Sequence, residues 1–246
     1  MAPLDVFRQT RGIGVITPSG NTVVERVTIG ILEAFPDVAC HFSRTGVRGT
    51  SDPFPDSYDW DSMLGAARLL AHARPEVIVW SGSKAGSIAF DLDHALCDRI
   101  TAETGCRATT STLALVDALR RVGAKRVALV TPYTPAYQAK VLATFRREGL
   151  DCVADACAGL SDNLSYASMT ADEIRAMLRQ VAAARPDAIV AWCTNFLAAP
   201  LAAEIERETG IALLDSTALA AWHALRMLGI ETAPARAWGR LFGSAV

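Results

Sequence analysis

Short, almost uninterrupted apolar runs alternate along this chain with longer stretches in which apolar residues recur at helical spacing. That alternation is the pattern of an α/β protein whose parallel strands are buried on both faces. Strands are expected over residues 13–17, 38–44, 76–80, 126–130, 152–157 and 187–192. Helices are expected over 22–35, 59–73, 91–104, 111–122, 135–148, 170–184, 197–209 and 216–228. Residues 46–58 and 159–168 are rich in Gly, Pro, Ser and Asp and are expected to be irregular. Each of these two loops follows the second strand of one half, at the strand ends where open α/β sheets bind ligands. Ordinary surface connection is the other reading of both.

The pattern occurs twice. Ala73-Arg74-Pro75-Glu76-Val77-Ile78-Val79-Trp80-Ser81-Gly82-Ser83 aligns without a gap on Ala184-Arg185-Pro186-Asp187-Ala188-Ile189-Val190-Ala191-Trp192-Cys193-Thr194. Glu103-Thr104-Gly105 recurs as Glu208-Thr209-Gly210, and Gly14-Val15-Ile16-Thr17-Pro18 recurs as Ala128-Leu129-Val130-Thr131-Pro132. The implied architecture is two similar parallel-sheet α/β halves related by a pseudo-twofold axis, with the site in the cleft between them. The halves are placed at 1–110, with 217–246 packing back on it, and at 111–216. At the matched strand ends one half offers Gly82 and the other a thiol, Cys193.

Composition narrows the function classes. No apolar run approaches the roughly 20 residues of a membrane-spanning helix, and residues 1–10 lack the apolar core of a secretory signal. A cytoplasmic protein without membrane partners is expected. A net charge of -2 gives no reason to expect nucleic acid. The six cysteines lack CxxC pairs and read as reduced thiols. Asp91, Asp93, His94, Cys97 and Asp98 cluster in sequence but lack the spacing of a zinc site, so no metal is expected. GxGxxG, Walker and GxSxG signatures are absent from the sequence.

Cys193 ends a buried strand ahead of an expected helix, whose N-terminal amides would lower its pKa and make it reactive. Gly82 permits close backbone approach to a ligand, flanked by the Ser81 and Ser83 hydroxyls. Lys84 can meet a carboxylate as a point charge, or simply be solvated. The turn Pro18-Ser19-Gly20-Asn21-Thr22 and its twin Thr131-Pro132-Tyr133-Thr134 open at the same edge. Asn21 offers amide hydrogens, or a helix cap, and Tyr133 a phenolic hydroxyl.

With those residues in hand, the chain resembles the aspartate/glutamate racemase superfamily, and within it the maleate cis–trans isomerases and arylmalonate decarboxylases. The resemblance rests on Pro18-Ser19-Gly20-Asn21-Thr22 with Glu25, Thr131-Pro132-Tyr133-Thr134, Cys193-Thr194-Asn195, Ala221-Trp222-His223 and Gly239-Arg240-Leu241-Phe242. It implies a cofactor-independent enzyme acting on a small carboxylic acid, with association into a homo-oligomer left open. The isomerases and racemases have a cysteine in each half, whereas the decarboxylases resemble this chain in having glycine at the first position. By that resemblance Cys193 is the proton donor, with Tyr133 and Ser83 in a carboxylate cradle, to which the leading expectation adds Thr194. Pro18, Ser19, Asn21, Gly82, Lys84 and Asn195 complete the expected binding set. Lys84 departs from the decarboxylases, which carry a hydroxyl residue there, while Asn21 and Thr194-Asn195 look more like the isomerases. A malonate-type decarboxylase is the leading expectation. A one-thiol isomerase and a non-catalytic acid-binding protein are the alternatives.

Overall fold

A computed structural model describes residues 11–47 and 56–243. Most of the expected 46–58 loop, the first ten residues and the ends of the two halves at 1 and 246 lie outside the described residues. Among these residues eight strands form two four-stranded, all-parallel sheets. The first sheet contains β1 (Arg11–Pro18), β2 (Val38–Thr45), β3 (Val77–Trp80) and β4 (Arg107–Thr110), in the order β2-β1-β3-β4. The second contains β5 (Arg126–Tyr133), β6 (Asp151–Leu160), β7 (Ala188–Ala191) and β8 (Ala212–Asp215), in the order β6-β5-β7-β8. The identical order makes the sequence repeat a repeat of topology.

The helices are α1 (Val24–Leu32), α2 (Trp60–Ala71), α3 (Asp91–Thr104), α4 (Ser111–Val122), α5 (Pro135–Arg147), α6 (Asn163–Ala167), α7 (Ala171–Ala182), α8 (Ala202–Thr209), α9 (Ser216–Met227) and α10 (Arg240–Gly243). β3 and β7 are buried along their whole length, as their continuous apolar sequences require. α9 follows β8 in the chain but packs against β3, α1 and α4, so this helix returns to the first sheet.

The likeness of the halves extends to single backbone angles. Arg74 and Arg185, each before a proline, both adopt positive φ, at 51° and 48°. Thr104 and Thr209 each return a hydroxyl to the carbonyl four residues back, at 2.7 Å. The glycine after each threonine then stops the helix in the left-handed conformation, at φ 72° for Gly105 and 76° for Gly210. α7 begins with a capping box between Thr170 and Glu173.

Three sequence expectations change. Residues 159–168 are not irregular: β6 runs to Leu160, and Asp162 caps the short α6 by accepting from the Leu164 and Ser165 amides. β4 and β8 have no counterpart in the expected strands, because four-residue segments beginning Arg-Ala-Thr or ending Leu-Asp carry little periodic signal. The helix expected to start at 197 starts at Ala202, after a 3₁₀ turn at Ala199–Leu201.

Gly210→Ala is expected to destabilise the protein by about 1 kcal/mol, because alanine is strained at that positive φ. A urea midpoint unchanged from wild type would count against this account of the helix stop.

Candidate active site

In each sheet the chain moves outward from the first strand to the second and then returns to the first strand's other side. Both sheets therefore have a topological switch point, between β1 and β3 and between β5 and β7, where α/β proteins leave a crevice at the carboxyl ends of the strands. A cavity of about 210 Å³ lies there. Pro18 ends β1 and Ser83 follows β3; Tyr133 ends β5 and Cys193 follows β7; all four line it. So do Lys84 and Thr194 from the expected set.

The remaining four expected residues stand behind or beside the cavity. Asn21 is buried: its Oδ1 accepts from the Val23 and Val24 amides at 2.8 Å, and its Nδ2 donates to Thr194 Oγ1 at 3.2 Å. It holds the turn that leads into α1 and bonds Thr194, with one of its two amide hydrogens engaged there. Asn195 accepts from the Thr22 amide at 2.9 Å and donates to the Asn163 carbonyl. Ser19 is exposed, in a turn held by Arg44, which donates to the Ser19 and Asn21 carbonyls at 2.9 Å and pairs with Glu25 at 2.7 Å. Gly82 is buried beneath the indole of Trp80.

Sequence reasoning missed the aromatic wall. Tyr137, Tyr166 and Trp80 line the cavity, with Ser87, Lys140, Asn163, Val47 and Asp56. The Tyr133 ring meets Tyr137 and Tyr166 edge-on, at centroid distances of 4.7 and 5.5 Å. Tyr137 shares a 2.7 Å hydrogen bond with Ser87, and Tyr133 one of 2.9 Å with Ser83. Tyr137 could have been found from the sequence, four residues after Tyr133 and one helical turn into α5. Tyr166 could not, because residues 159–168 gave no helical period.

Cys193 is almost wholly buried, and loss of hydration pushes its thiol up to about 12. The Asn195 amide and the Tyr133 hydroxyl favour ionisation and offset part of this, while the nearby Asp215 carboxyl opposes ionisation. The expected lowering by a helix N-terminus is overturned: a tight turn at Thr194–Asn195 follows the thiol, and α8 begins nine residues on. Burial likewise holds the Tyr133 hydroxyl well above its ordinary value. Both groups are proton-bearing donors near neutral pH. Asp215 is pushed up to about 7 by burial, against the pull of the Ala218 and Thr217 amides that its Oδ1 accepts.

The arylmalonate decarboxylase family model matches residues 13–242. The chain belongs to that family. Among characterised family relatives, the maleate isomerase of Nocardia farcinica is 30% identical, over 91% of this chain and 92% of that protein. The arylmalonate decarboxylase of Bordetella bronchiseptica is 27% identical, over 95% and 97%. A solved structure of the Nocardia farcinica maleate cis–trans isomerase, a cysteine-to-serine variant with a covalently bound succinylcysteine intermediate, superposes with a TM-score of 0.83. Its identity is 26%, covering 96% of this chain and 99% of that one. The maleate isomerase of Pseudomonas putida, with maleate, shares the fold at a TM-score of 0.87 and 24% identity, covering 96% and 98%. The family joins decarboxylases and isomerases, and the site's chemistry must separate them.

Two measurements check the electrostatics. Iodoacetamide should alkylate Cys193 roughly 10³-fold more slowly than a free cysteine at pH 8, with the rate still climbing above pH 10; rapid labelling at pH 8 would mean an ionised thiol. Asp215 releases its proton later in the folded protein than unfolded, so stability should fall as pH rises from about 4 to about 7 and then level. Asp215→Asn keeps the cap and should remove that decline, on the order of 4 kcal/mol in denaturant titrations across the range; an unchanged pH slope would exclude Asp215 as its source.

Proposed function

We propose that this protein decarboxylates a substituted malonate and reprotonates the product with Cys193. The observation that carries the reading is a single, buried, neutral thiol lining the cavity, with glycine at the matched position of the other half. Two-base isomerisation or racemisation needs an acceptor and a donor of protons on opposite faces, and nucleophilic addition to a double bond needs a thiolate. Decarboxylation needs neither. It needs the developing enediolate held by hydrogen-bond donors, and one acid to finish.

Ser83, Tyr133 and Thr194 hold the retained carboxylate, with neutral donors on both sides of the cleft. Pro18, Lys84 and the tyrosine wall shape the space for the substituent. Asn21 and Asn195 position Thr194 and the turn after Cys193. The bond between the α-carbon and the departing carboxylate breaks, its electron pair delocalises into the enediolate, and carbon dioxide leaves. Cys193 Sγ–H then delivers its proton to the α-carbon, and the thiolate takes a proton back from solvent.

A one-thiol maleate isomerisation is the second reading, favoured by the 30% identity to the Nocardia farcinica enzyme. It requires Cys193 to act as a thiolate, against the neutral state that its burial favours.

Proton NMR in heavy water with phenylmalonate, methylmalonate and maleate in separate tubes tests both. A monoacid deuterated at the α-carbon is expected from a malonate; fumarate from maleate would restore the isomerase reading, and silence in all three would leave a binding role. Cys193→Ala should lower turnover by about 10³-fold or more, with Tm within a few degrees of wild type. Tyr133→Phe should lower turnover by about 10–100-fold. An unchanged rate in Cys193→Ala would overturn the proposal.

A further inference from the structure

The repeat register pairs not one but two positions of opposite size. Gly82 matches Cys193, and Trp80, two residues earlier, matches Ala191. One half is therefore large then empty, and the other small then thiol. The geometry explains the exchange. A Cβ built on Gly82 would lie 2.1 Å from Trp80 Cζ2, 2.2 Å from Cε2 and 2.7 Å from Cη2. The indole fills the space into which a side chain at residue 82 would project.

The ring cannot swing aside cheaply. Trp80 Nε1 donates to the Tyr58 hydroxyl at 3.2 Å, and that hydroxyl donates to Asp93 Oδ1 at 2.5 Å. All three residues are buried, and the Tyr58 ring meets the indole edge-on at 6.1 Å. Trp80 nevertheless lines the same cavity as Cys193. The pseudo-twofold puts the side-chain direction of residue 82 across the cleft from that of residue 193.

We propose that Trp80 is the stereochemical determinant of this site: its indole closes the cleft face opposite Cys193, so the α-carbon receives its proton from the Cys193 side alone. This rests on the decarboxylase reading. Water and any second acid are kept from the opposite face by the same ring that makes glycine obligatory at position 82. The Trp80–Tyr58–Asp93 chain holds that wall rigid.

The test is the enantiomeric ratio of the monoacid formed from methylphenylmalonate, whose product carries a stereocentre. Wild type and Trp80→Phe, which keeps the aromatic bulk, are expected to give one enantiomer by about 20:1 or better. Trp80→Ala should fall below about 3:1 as solvent reaches the second face. Trp80→Ala combined with Gly82→Cys should approach an even mixture and wash deuterium into added product. A wild-type ratio in an active Trp80→Ala enzyme would overturn the proposal, as would Gly82→Cys alone giving racemic product at an unchanged Tm. Should Trp80→Ala fail to fold, Gly82→Ala supplies a second reading: its Tm should drop in the wild-type background and recover in Trp80→Leu. Absence of that coupling would overturn the steric wall. No carbon dioxide from the wild type would overturn the decarboxylase reading and the stereochemical role with it, while the Gly82–Trp80 coupling in Tm would still be seen.

Discussion

The hydrogen bond between Ser83 and Tyr133 joins the two halves at the point where both sheets reverse direction. It is one of several that cross the cleft from the turns after β3 and β7. Trp192 Nε1 donates to the Ser83 carbonyl at 3.1 Å, and Asn21 donates to Thr194. Thr217 in α9 donates to the Thr194 carbonyl at 3.1 Å. Each of these groups is buried or half-buried, where an unpaired donor or acceptor would cost more than the bond returns. The halves are consequently locked in one relation, and the positions of Tyr133, Ser83 and Cys193 are set by backbone that cannot shift independently. A site that must present donors to a developing charge gains from such rigidity, since no reorganisation is needed at the moment of reaction.

Burial sets the chemistry as firmly as it sets the geometry. Cys193 and Tyr133 are buried, and among the described residues the groups that favour the thiolate are the Asn195 amide and the Tyr133 hydroxyl, not a cationic side chain. The two groups that do favour it, an amide and a phenol, are neutral dipoles. They offset desolvation only in part, so the thiol remains an acid. Among the described residues, the charged groups lining the cavity are Lys84, Lys140 and Asp56. The groups nearest Cys193, the Asn195 amide and the Tyr133 hydroxyl, are thus neutral donors.

The two-half architecture was legible because β3 and β7 are short runs of Val, Ile, Ala and Trp bounded by Arg-Pro on one side and small polar residues on the other. The repeat in those bounding residues survives into the structure as matched positive φ at Arg74 and Arg185. Cavity residues immediately following a strand, Ser83, Lys84, Cys193 and Thr194, were also legible, because strand ends define an edge. Asn21 and Asn195 were read as amides that could meet an anion, with a helix cap as the other reading of Asn21, and nothing in a sequence says that each already donates a bond, to Thr194 and to the Asn163 carbonyl. The electrostatic sign of Cys193 was missed for a local reason: the helix expected from residue 197 starts only at Ala202, after a 3₁₀ turn at Ala199–Leu201. Trp80 was visible only as a strand residue, since its contact with Gly82 depends on where the indole turns.

One thiol of high pKa also gives the site a direction. In the decarboxylation we propose, once the α-carbon is protonated the reverse step would require Cys193 to remove that proton as a thiolate. At neutral pH a thiol of pKa about 12 is ionised in roughly one molecule in 10⁵. Re-ionisation of the monoacid from the same face is suppressed by that factor, and from the other face by the absence of any base at Gly82. Loss of carbon dioxide supplies the forward driving force, so the acid need only be present, never regenerated from product. The exchange of size between Trp80–Gly82 and Ala191–Cys193 therefore does two things at once. Under the proposed function it leaves no second proton-transferring group at position 82 and fills that space with an indole, in a cleft that is similar in fold on both sides and carries a thiol on one.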